Sequence, residues 1–400
     1  MLLTSLVVGC CLATTSPALP TPQDATVTWT QIRQGYDQLK TYMASKRRIG
    51  DPEREELRKL QTELDRFRAL HPTDARPIAM DIQIASWLGD DDRLGADYAE
   101  LAAISKDPRV TIAWARHRLG QNEYDQTREV IESANLDPAD HPEAMVLAAR
   151  TLMARNRFQD AIDTVDRIPA DESISANEAG QIRSEATRWL ELWDLETQAR
   201  NAEESAGTSP IMQLVTSRGP VTILLFEDAA PNTVANFIEL SERDFYDGTT
   251  FHRVVPNFVA QGGDPNSRPG SLGEPGTGGR GAKIADESDR PNKRFHFAGS
   301  VAMAKSPDAN SGGKTVADSG SSQFYIVLEP AENLNDEYTV FGRVIDGIEA
   351  VESIRMGDGL IDVRTISRPD RDYVAQTIPL AGLPTPPPTE PAAAPTPGGG

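Results

Sequence analysis

The chain has 400 residues, of which 38% are hydrophobic and 25% are charged. This length exceeds what one ordinary hydrophobic core supports, so two domains plus terminal segments are expected of this soluble, globular composition. Forty basic and sixty acidic side chains give a formal net charge of −20, which argues against binding to the phosphate backbone of a nucleic acid.

The N-terminus carries an apolar run over residues 2–12, followed by small residues and three prolines. This pattern is typical of an export signal, which we predict for residues 1–22, although no basic segment precedes the run. The stretch 6–10 also resembles a bacterial lipoprotein cleavage box, so a lipid anchor at Cys10 is one interpretation and an N-terminus without an address is another. We expect an exported protein of the periplasm or cell envelope.

Residues 25–205 are predicted to form an all-helical domain, because they are rich in good helix formers and carry almost no strand pattern. Within this region the stretch 119–127 recurs loosely as 153–161, so that Tyr124 and Phe158 lie 34 positions apart. This period resembles that of tetratricopeptide repeats, which often bind peptides or partner proteins. A generic helical bundle with the same aromatic side chains inside is the alternative.

The helical region shows no cluster of catalytic or metal-binding residues. Its histidines, His71, His117 and His141, lie far apart in unrelated contexts, and the acidic run 90–92 is typical of a solvated turn. We therefore expect no metal and no cofactor there. A protein partner, or the neighbouring domain, is the expected contact of this region.

The character of the sequence changes after the small polar segment 201–210. Many short strand patterns, two helices and glycine-rich loops over residues 208–370 predict a closed antiparallel β-barrel capped by two helices. The fold class is thus multidomain α and β, with the helical domain first. The proline-rich and glycine-rich segment 383–400 is predicted to be a disordered tail.

The most informative stretch is 246–263, which reads Tyr-Asp-Gly-Thr-Thr-Phe-His-Arg-Val-Val-Pro-Asn-Phe-Val-Ala-Gln-Gly-Gly. Strand alternation predicts that Phe251, Arg253 and Val255 share one face, with Phe258 and Gln261 a short step beyond. An aromatic floor, a cation and an amide would then converge. Over these eighteen positions the chain resembles the signature of the cyclophilin family of peptidyl-prolyl cis-trans isomerases.

This resemblance implies a defined chemistry. A prolyl peptide bond resists rotation because amide resonance gives its C–N bond double-bond character. The twisted transition state has a pyramidal nitrogen with a lone pair, which a positioned donor stabilises more than it stabilises the ground state. We assign that role to Arg253, whose guanidinium group stays protonated and offers several fixed donors.

The resemblance also assigns the other site residues. The catalytic residues that it implies are Arg253, Gln261 and His252. The substrate-binding residues it implies are Phe258, Val259, Met303, Ala304, Gln323, Tyr325, Leu334 and Thr277. No cofactor is implied, and the substrates are proline-containing polypeptides. Four of these residues, Phe258, Val259, Tyr325 and Leu334, are expected to line an apolar slot for the proline ring.

Several positions depart from the family pattern. Asn333 stands where many members carry tryptophan, Tyr338 replaces a common histidine as in many bacterial relatives, and Lys305 replaces an asparagine. The loops 265–275 and 305–320 are longer than usual, and their effect on specificity is left open. A non-catalytic chaperone or scaffold that binds proline-containing peptides, with the helical domain supplying partner contact, is the alternative function.

Overall fold

The structure is a computed structural model that describes residues 28–44, 49–170, 174–308 and 314–379. The predicted export signal, the predicted lipid site at Cys10 and the predicted tail 383–400 lie outside the described residues. The chain divides into two compact units, the first ending at Glu191 and the second beginning at Leu192. Each unit is described by itself.

The described residues of the first unit form helices and no strand. These helices are α1 (Trp29–Ala44), α2 (Asp51–Leu70), α3 (Ala75–Leu88), α4 (Asp91–Ser105), α5 (Pro108–Gly120), α6 (Tyr124–Ala134), α7 (Pro142–Ala154) and α8 (Phe158–Val165), with α9 (Ile174–Ala206) running past the boundary at Glu191. Across the described part of the chain, every helix is too short or too polar to cross a bilayer.

Aspartate side chains fix where three successive helices begin. Asp74, Asp90 and Asp107 accept hydrogen bonds from main-chain N–H groups in the first turns of α3, α4 and α5, at 3.0, 3.1 and 2.9 Å. Each bond satisfies a donor that the helix itself leaves unpaired. These caps therefore define the residue at which each of the three helices begins.

The predicted repeat is present in the backbone of two helical hairpins, α5–α6 and α7–α8. Asn122 and Asn156 occupy equivalent loop positions with φ of 60° and 55°, a left-handed conformation that asparagine tolerates. The aromatic residue two positions later, Tyr124 or Phe158, is 1% exposed in both hairpins. The 34-residue spacing of these aromatic residues therefore reflects two copies of one packing unit.

The second unit contains one nine-stranded antiparallel sheet and a two-stranded ribbon. Its elements are β1 (Ile211–Thr216), β2 (Gly219–Leu225), α10 (Pro231–Ser241), β3 (Thr249–Thr250), β4 (Arg253–Val255), β5 (Val259–Gly262), β6 (Ala282–Lys283), β7 (Ser300–Met303), β8 (Phe324–Val327), β9 (Val340–Asp346), α11 (Ile348–Ser353), β10 (Gly359–Ser367) and β11 (Ile378–Pro379). The sheet order is β3-β10-β1-β2-β9-β7-β8-β5-β4, and β11 pairs with β6.

The prediction of a closed barrel is wrong, because the sheet is an open half-barrel. Among the described residues no ladder joins its end strands, β3 and β4. The two strands are consecutive in the chain, and Phe251 between them uses its main chain elsewhere: its N–H donates to Asp358, and its carbonyl accepts from Gly357. The backbone that would have to turn to close the sheet is therefore paired with another loop.

An aromatic cluster lies at the centre of the second unit. Phe237 of α10 has its ring centroid 5.1, 5.5 and 5.3 Å from those of Tyr246, Phe324 and Phe341. All four side chains are fully buried. Because α10 contributes to the same core as the strands, its position is set by the burial of apolar surface.

The last part of α9, from Leu192 onward, packs into the second unit. Arg294 donates to Glu196 at 2.8 Å and also pairs with Glu203, and the three side chains are at most 7% exposed. Its guanidinium group lies 3.8 Å from the ring centroid of Phe226. The edge of Trp193 contacts Phe297, with centroids 4.9 Å apart. The second unit thus includes helical residues that precede its first strand.

Candidate functional site

Four residues form one row across four adjacent strands of the sheet. Arg253 of β4 is paired with Gln261 of β5, Gln261 with Tyr325 of β8, and Tyr325 with Ala302 of β7. Directly opposite residues in antiparallel strands point to the same face. The sheet therefore brings a cation, an amide and an aromatic ring together, although they lie up to 72 positions apart.

A chain of amide groups orients the arginine. Arg253 Nη1 lies 3.4 Å from Gln261 Oε1, and Gln261 Nε2 donates to Gln323 Oε1 at 2.9 Å. Gln323 Nε2 in turn donates to the carbonyls of Gly276 and Gly278 at 3.0 and 2.9 Å. The loop at 276–278 thus fixes the amides, and the amides fix the direction of the guanidinium group.

Arg253 is exposed and weakly paired. Its side chain is exposed, and in the described ranges no carboxylate lies within 4.0 Å of it. Among the described residues, its hydrogen-bond partner is a neutral amide at the long end of hydrogen-bond distance. A cation held in place without a counter-ion suits a role in which it donates to a substrate.

The four residues predicted to line the apolar slot lie in one apolar cluster. Val259, Tyr325 and Leu334 are 2%, 5% and 9% exposed and belong to one apolar cluster, against which Phe258 packs. The ring of Tyr338 meets that of Tyr325 edge to face at 5.8 Å. The side chains predicted to form the slot are therefore packed close to one another, as a shared apolar surface requires.

The remaining predicted substrate-binding residues are placed less uniformly. Ala304 packs against the slot cluster, and its N–H donates to the main-chain carbonyl of Gln323 at 2.9 Å. Thr277, which lies in the loop whose carbonyls hold Gln323, is exposed and accepts a hydrogen bond from Asn266 at 3.1 Å. The Met303 side chain lies in the inner core against Phe324, on the opposite face of the sheet.

The prediction that Phe251 and Arg253 share one face of a strand is wrong. Phe251 is completely buried in the inner core, while Arg253 is exposed on the other face. The alternation breaks because residues 251–252 lie between strands and are not part of one continuous strand. Phe251 therefore does not provide an aromatic floor beside Arg253.

His252 lies at the edge of the site, under the loop at Gly276. Its ring carbon Cδ2 is 3.6 Å from the position that a side chain at Gly276 would occupy. Burial lowers the pKa of His252, and the carboxylate of Asp264 opposes this shift. At neutral pH the imidazole is therefore uncharged.

The lysine that departs from the family pattern is anchored. Lys305 Nζ donates to Asp286 Oδ2 at 2.6 Å and to the carbonyl of Glu337 at 3.0 Å. The Glu337 carboxylate accepts from the N–H and hydroxyl of Thr315 at 2.9 and 2.7 Å. These bonds tie both described ends of the loop 305–320 to the body of the second unit.

Two residues behind the slot were not indicated by the sequence. His296 bonds to the hydroxyl of Tyr325, and Asn335 bonds to His296. The available signal was a histidine set between Phe295 and Phe297, an unusual polar residue in an apolar stretch. No described group of three or more histidine, cysteine or acidic side chains is arranged to hold a metal ion.

Comparison with known proteins places this geometry in a family. A family model for cyclophilin-type peptidyl-prolyl cis-trans isomerases matches residues 211–374. Peptidyl-prolyl cis-trans isomerase B of Bacillus subtilis is 45% identical over 140 residues, which cover 35% of this chain and 86% of that protein. The chain belongs to the cyclophilin family. The predicted resemblance is confirmed.

Other similarities cover the same part of this cyclophilin. A peptidyl-prolyl cis-trans isomerase of Synechococcus elongatus is 41% identical over 157 residues, 38% of this chain and 94% of that protein. A cyclophilin-type isomerase of Cryptosporidium parvum of known structure is 26% identical, covers 40% of this chain and 99% of that one, and has a TM-score of 0.34. A tetratricopeptide repeat model matches residues 118–173, which confirms the repeat-like character of the helical region.

Proposed function

We propose that this cyclophilin accelerates cis-trans isomerisation of Xaa-Pro peptide bonds, with Arg253 stabilising the twisted amide. The observation that carries the proposal is a guanidinium group without a counter-ion, oriented by Gln261 at the edge of an apolar slot. The similarity to isomerases named as such supports the reaction type. The substrates are proline-containing polypeptides.

In the proposed mechanism, the slot holds the proline ring while the arginine acts on the amide. The barrier to rotation is about 18–20 kcal/mol because of amide resonance. A donor directed at the proline nitrogen favours the state in which that nitrogen is pyramidal, so it stabilises the transition state more than the planar ground state. No covalent bond is made or broken.

The two glutamines have distinct proposed roles. Gln261 accepts from Arg253 through its Oε1, which restrains the position of the guanidinium group. Gln323 fixes Gln261 and is itself fixed by two glycine carbonyls. The arginine is thus oriented before a substrate arrives, which reduces the entropy lost on reaching the transition state.

The test compares Arg253→Ala with wild type in a protease-coupled proline-peptide assay. Removal of one preorganised donor is expected to lower kcat/KM by about 10²–10³-fold, without a change in melting temperature because the side chain is exposed. Arg364→Ala is the matched control, since Arg364 is an exposed arginine on β10 that pairs with Asp362. An unchanged rate in Arg253→Ala would refute the mechanism. Peptide binding by wild type without any acceleration would favour the chaperone or scaffold alternative.

We further propose that the protein acts on exported or envelope proteins. This proposal rests on the apolar run at residues 2–12 and the small residues and prolines that follow it. Mass spectrometry of the cellular protein tests it: a new N-terminus near Cys10 or near residue 22 is expected. Recovery of intact Met1 on cytosolic protein would overturn it.

We also propose that the helical unit binds a protein partner or a segment of the substrate. Its support is the pair of stacked repeat hairpins and the tetratricopeptide match. The test compares the full chain with residues 192–379 on a short proline peptide and on an unfolded protein. A rate advantage of the full chain on the protein substrate alone is expected, and equal rates on both substrates would contradict the proposal.

A further inference from the structure

The walls of the apolar slot meet at one buried histidine. His296 is 0% exposed and lies just before β7. Its Nε2 is 3.0 Å from the Tyr325 hydroxyl, and its Nδ1 is 2.9 Å from Asn335 Oδ1. The rings of His296 and Tyr325 are stacked with an interplanar angle of 15°. One side chain therefore connects a strand residue of the slot to the turn beyond it.

The surrounding bonds define which atoms donate. Asn335 Oδ1 also accepts the main-chain N–H of His296 at 3.0 Å, so that atom is the amide oxygen. An amide oxygen only accepts, so Nδ1 of His296 carries a proton. Burial lowers the pKa of His296 to about 4, which leaves the ring neutral and Nε2 an acceptor. The Tyr325 hydroxyl is therefore the donor.

The second wall is attached to the same residue through its main chain. The N–H of Ala331 donates to the carbonyl of His296 at 3.0 Å, and the N–H of Leu334 donates to the carbonyl of Ala331 at 3.1 Å. Leu334 is the neighbour of Asn335, which binds His296 from the other end of this turn. His296 thus holds both Tyr325 and the turn that carries Leu334.

We infer that His296 is a positioning residue of the slot, which sets the separation of Tyr325 from Leu334 and keeps the tyrosine hydroxyl directed away from the ligand. The slot then presents an apolar surface to a proline ring, although one of its walls is a tyrosine. This inference rests on the proposed function, because it assigns the slot to a proline ring.

The energetic reason is the cost of an unsatisfied hydroxyl. A buried hydroxyl without an acceptor loses its hydrogen bonds to water without replacement. If Nε2 is removed, Tyr325 must turn toward another acceptor or toward the site, and either movement changes the shape of the slot. The effect should appear in substrate affinity more than in the rate of the bound complex.

Two substitutions separate the two hydrogen bonds of the ring. His296→Gln places a carbonyl oxygen near the position of Nε2 and retains an acceptor for Tyr325. His296→Asn places an amide near the position of Nδ1, retains the bond to Asn335 and removes the acceptor for Tyr325. His71→Asn, an exposed histidine of the first unit, is the control.

We expect His296→Asn to raise KM about tenfold with kcat within about twofold of wild type, and His296→Gln to raise KM by less than about threefold. In a Tyr325→Phe background, which has no hydroxyl to position, the additional effect of His296→Asn on KM is expected to vanish. A merely structural role would lower the melting temperature in both backgrounds and would not couple to Tyr325.

The dissociation constant for an Ala-Pro-containing peptide, measured by calorimetric titration, gives the same test without catalysis. The expected order of affinity is wild type, then His296→Gln, then His296→Asn. Equal affinities in all three, or an undiminished effect in the Tyr325→Phe background, would overturn the inference. If these affinities are ordered as expected but wild type accelerates no isomerisation, the proposed function alone fails.

Discussion

A buried arginine network of the first unit and the network around Arg253 in the second unit are built in opposite ways. In the first unit Arg68 and Arg93 both donate to Asp81, at 2.9 Å each, and Arg68 also donates to Asp97 at 2.7 Å. Both aspartates are at most 2% exposed. In the second unit Arg253 is exposed, and within the described ranges it bonds to the neutral amide of Gln261.

The first arrangement suits a structural role, and the second suits the role proposed for Arg253. In the first unit Arg68 and Arg93 each pair with more than one carboxylate, two of which, Asp81 and Asp97, are buried. Removal of one partner would leave buried charge without compensation. The amides of the second unit orient Arg253 without neutralising it. An arginine that acts on a substrate needs orientation without a counter-ion, which this arrangement provides.

The largest expected effect is that of Arg68→Met on the first unit. The substitution leaves Asp81 and Asp97 close together with one cation fewer, so the free energy of unfolding of this unit should fall by about 3–5 kcal/mol. Four of the five tryptophans, at positions 29, 87, 114 and 189, lie in this unit, so tryptophan fluorescence during urea denaturation reports it.

The matched control for that experiment is Arg33→Met. Arg33 is 54% exposed and lies 3.8 Å from Asp37, so its loss should change stability by less than about 0.5 kcal/mol. The isomerase rate on a short peptide should be unchanged in both variants. A loss of stability in Arg68→Met no larger than that in Arg33→Met would show that the buried network is not structural.

The second largest effect is expected when Arg253 is given a carboxylate partner like those in the first network. Gln261→Glu places a carboxylate beside Arg253, where it should hold the guanidinium in an ion pair and repel Gln323 Oε1. We expect kcat/KM to fall about 10–100-fold with the melting temperature unchanged. Gln213→Glu, on the partly exposed strand β1, is the control in a coupled proline-peptide assay. Full activity in Gln261→Glu would mean that neutrality at this position is not required.

The sequence alone predicts that Arg253 and Gln261 converge, and the structure places the two side chains in contact, but the sequence does not predict the buried networks. Arg253 and Gln261 are polar residues on an otherwise apolar frame eight positions apart, so a local pattern identifies them. The contacts of His296 with Tyr325 and Asn335 span 29 and 39 positions, and no local pattern encodes them. Glu196 and Glu203 look like a solvated helix face until Arg294 is placed against them.

The errors in the fold have the same origin. Alternating side chains identify strands, but they do not show whether the two end strands pair with each other. The sequence therefore could not distinguish a closed barrel from an open one. Met303 illustrates the sensitivity of a strand face, because a shift by one residue moves a side chain from the site to the core. Ala302, its neighbour, lies in the row with Tyr325 instead.

The third effect concerns pH and Asp97. Burial, and then the charge of Asp81, raise the pKa of Asp97 to about 7, while Arg68 opposes the shift. Between about pH 4 and about pH 7, Asp97 therefore keeps a proton in the folded unit that it has released in the unfolded chain. The stability of the folded unit should decrease as the pH rises across this range.

Asp97→Asn should remove this dependence and raise the free energy of unfolding at pH 8 by about 1–3 kcal/mol. Chemical denaturation at pH 5 and pH 8, with the exposed Asp140→Asn as control, tests it. Parallel pH profiles for wild type and Asp97→Asn would contradict it.

The smallest effect is expected for the pH dependence of kcat/KM. Burial lowers the pKa of His252 and raises the pKa values of Tyr325 and Tyr338. All three side chains therefore stay uncharged between pH 7 and pH 9. The guanidinium group remains protonated throughout. The value of kcat/KM should therefore vary less than about twofold over this range, and His252→Gln should reduce it less than about threefold. An inflection near pH 7 that disappears in His252→Gln would assign a titrating role to this histidine. A flat profile would instead leave orientation of a permanent cation as the basis of the proposed rate enhancement, in contrast to the titrating carboxylate of the helical unit.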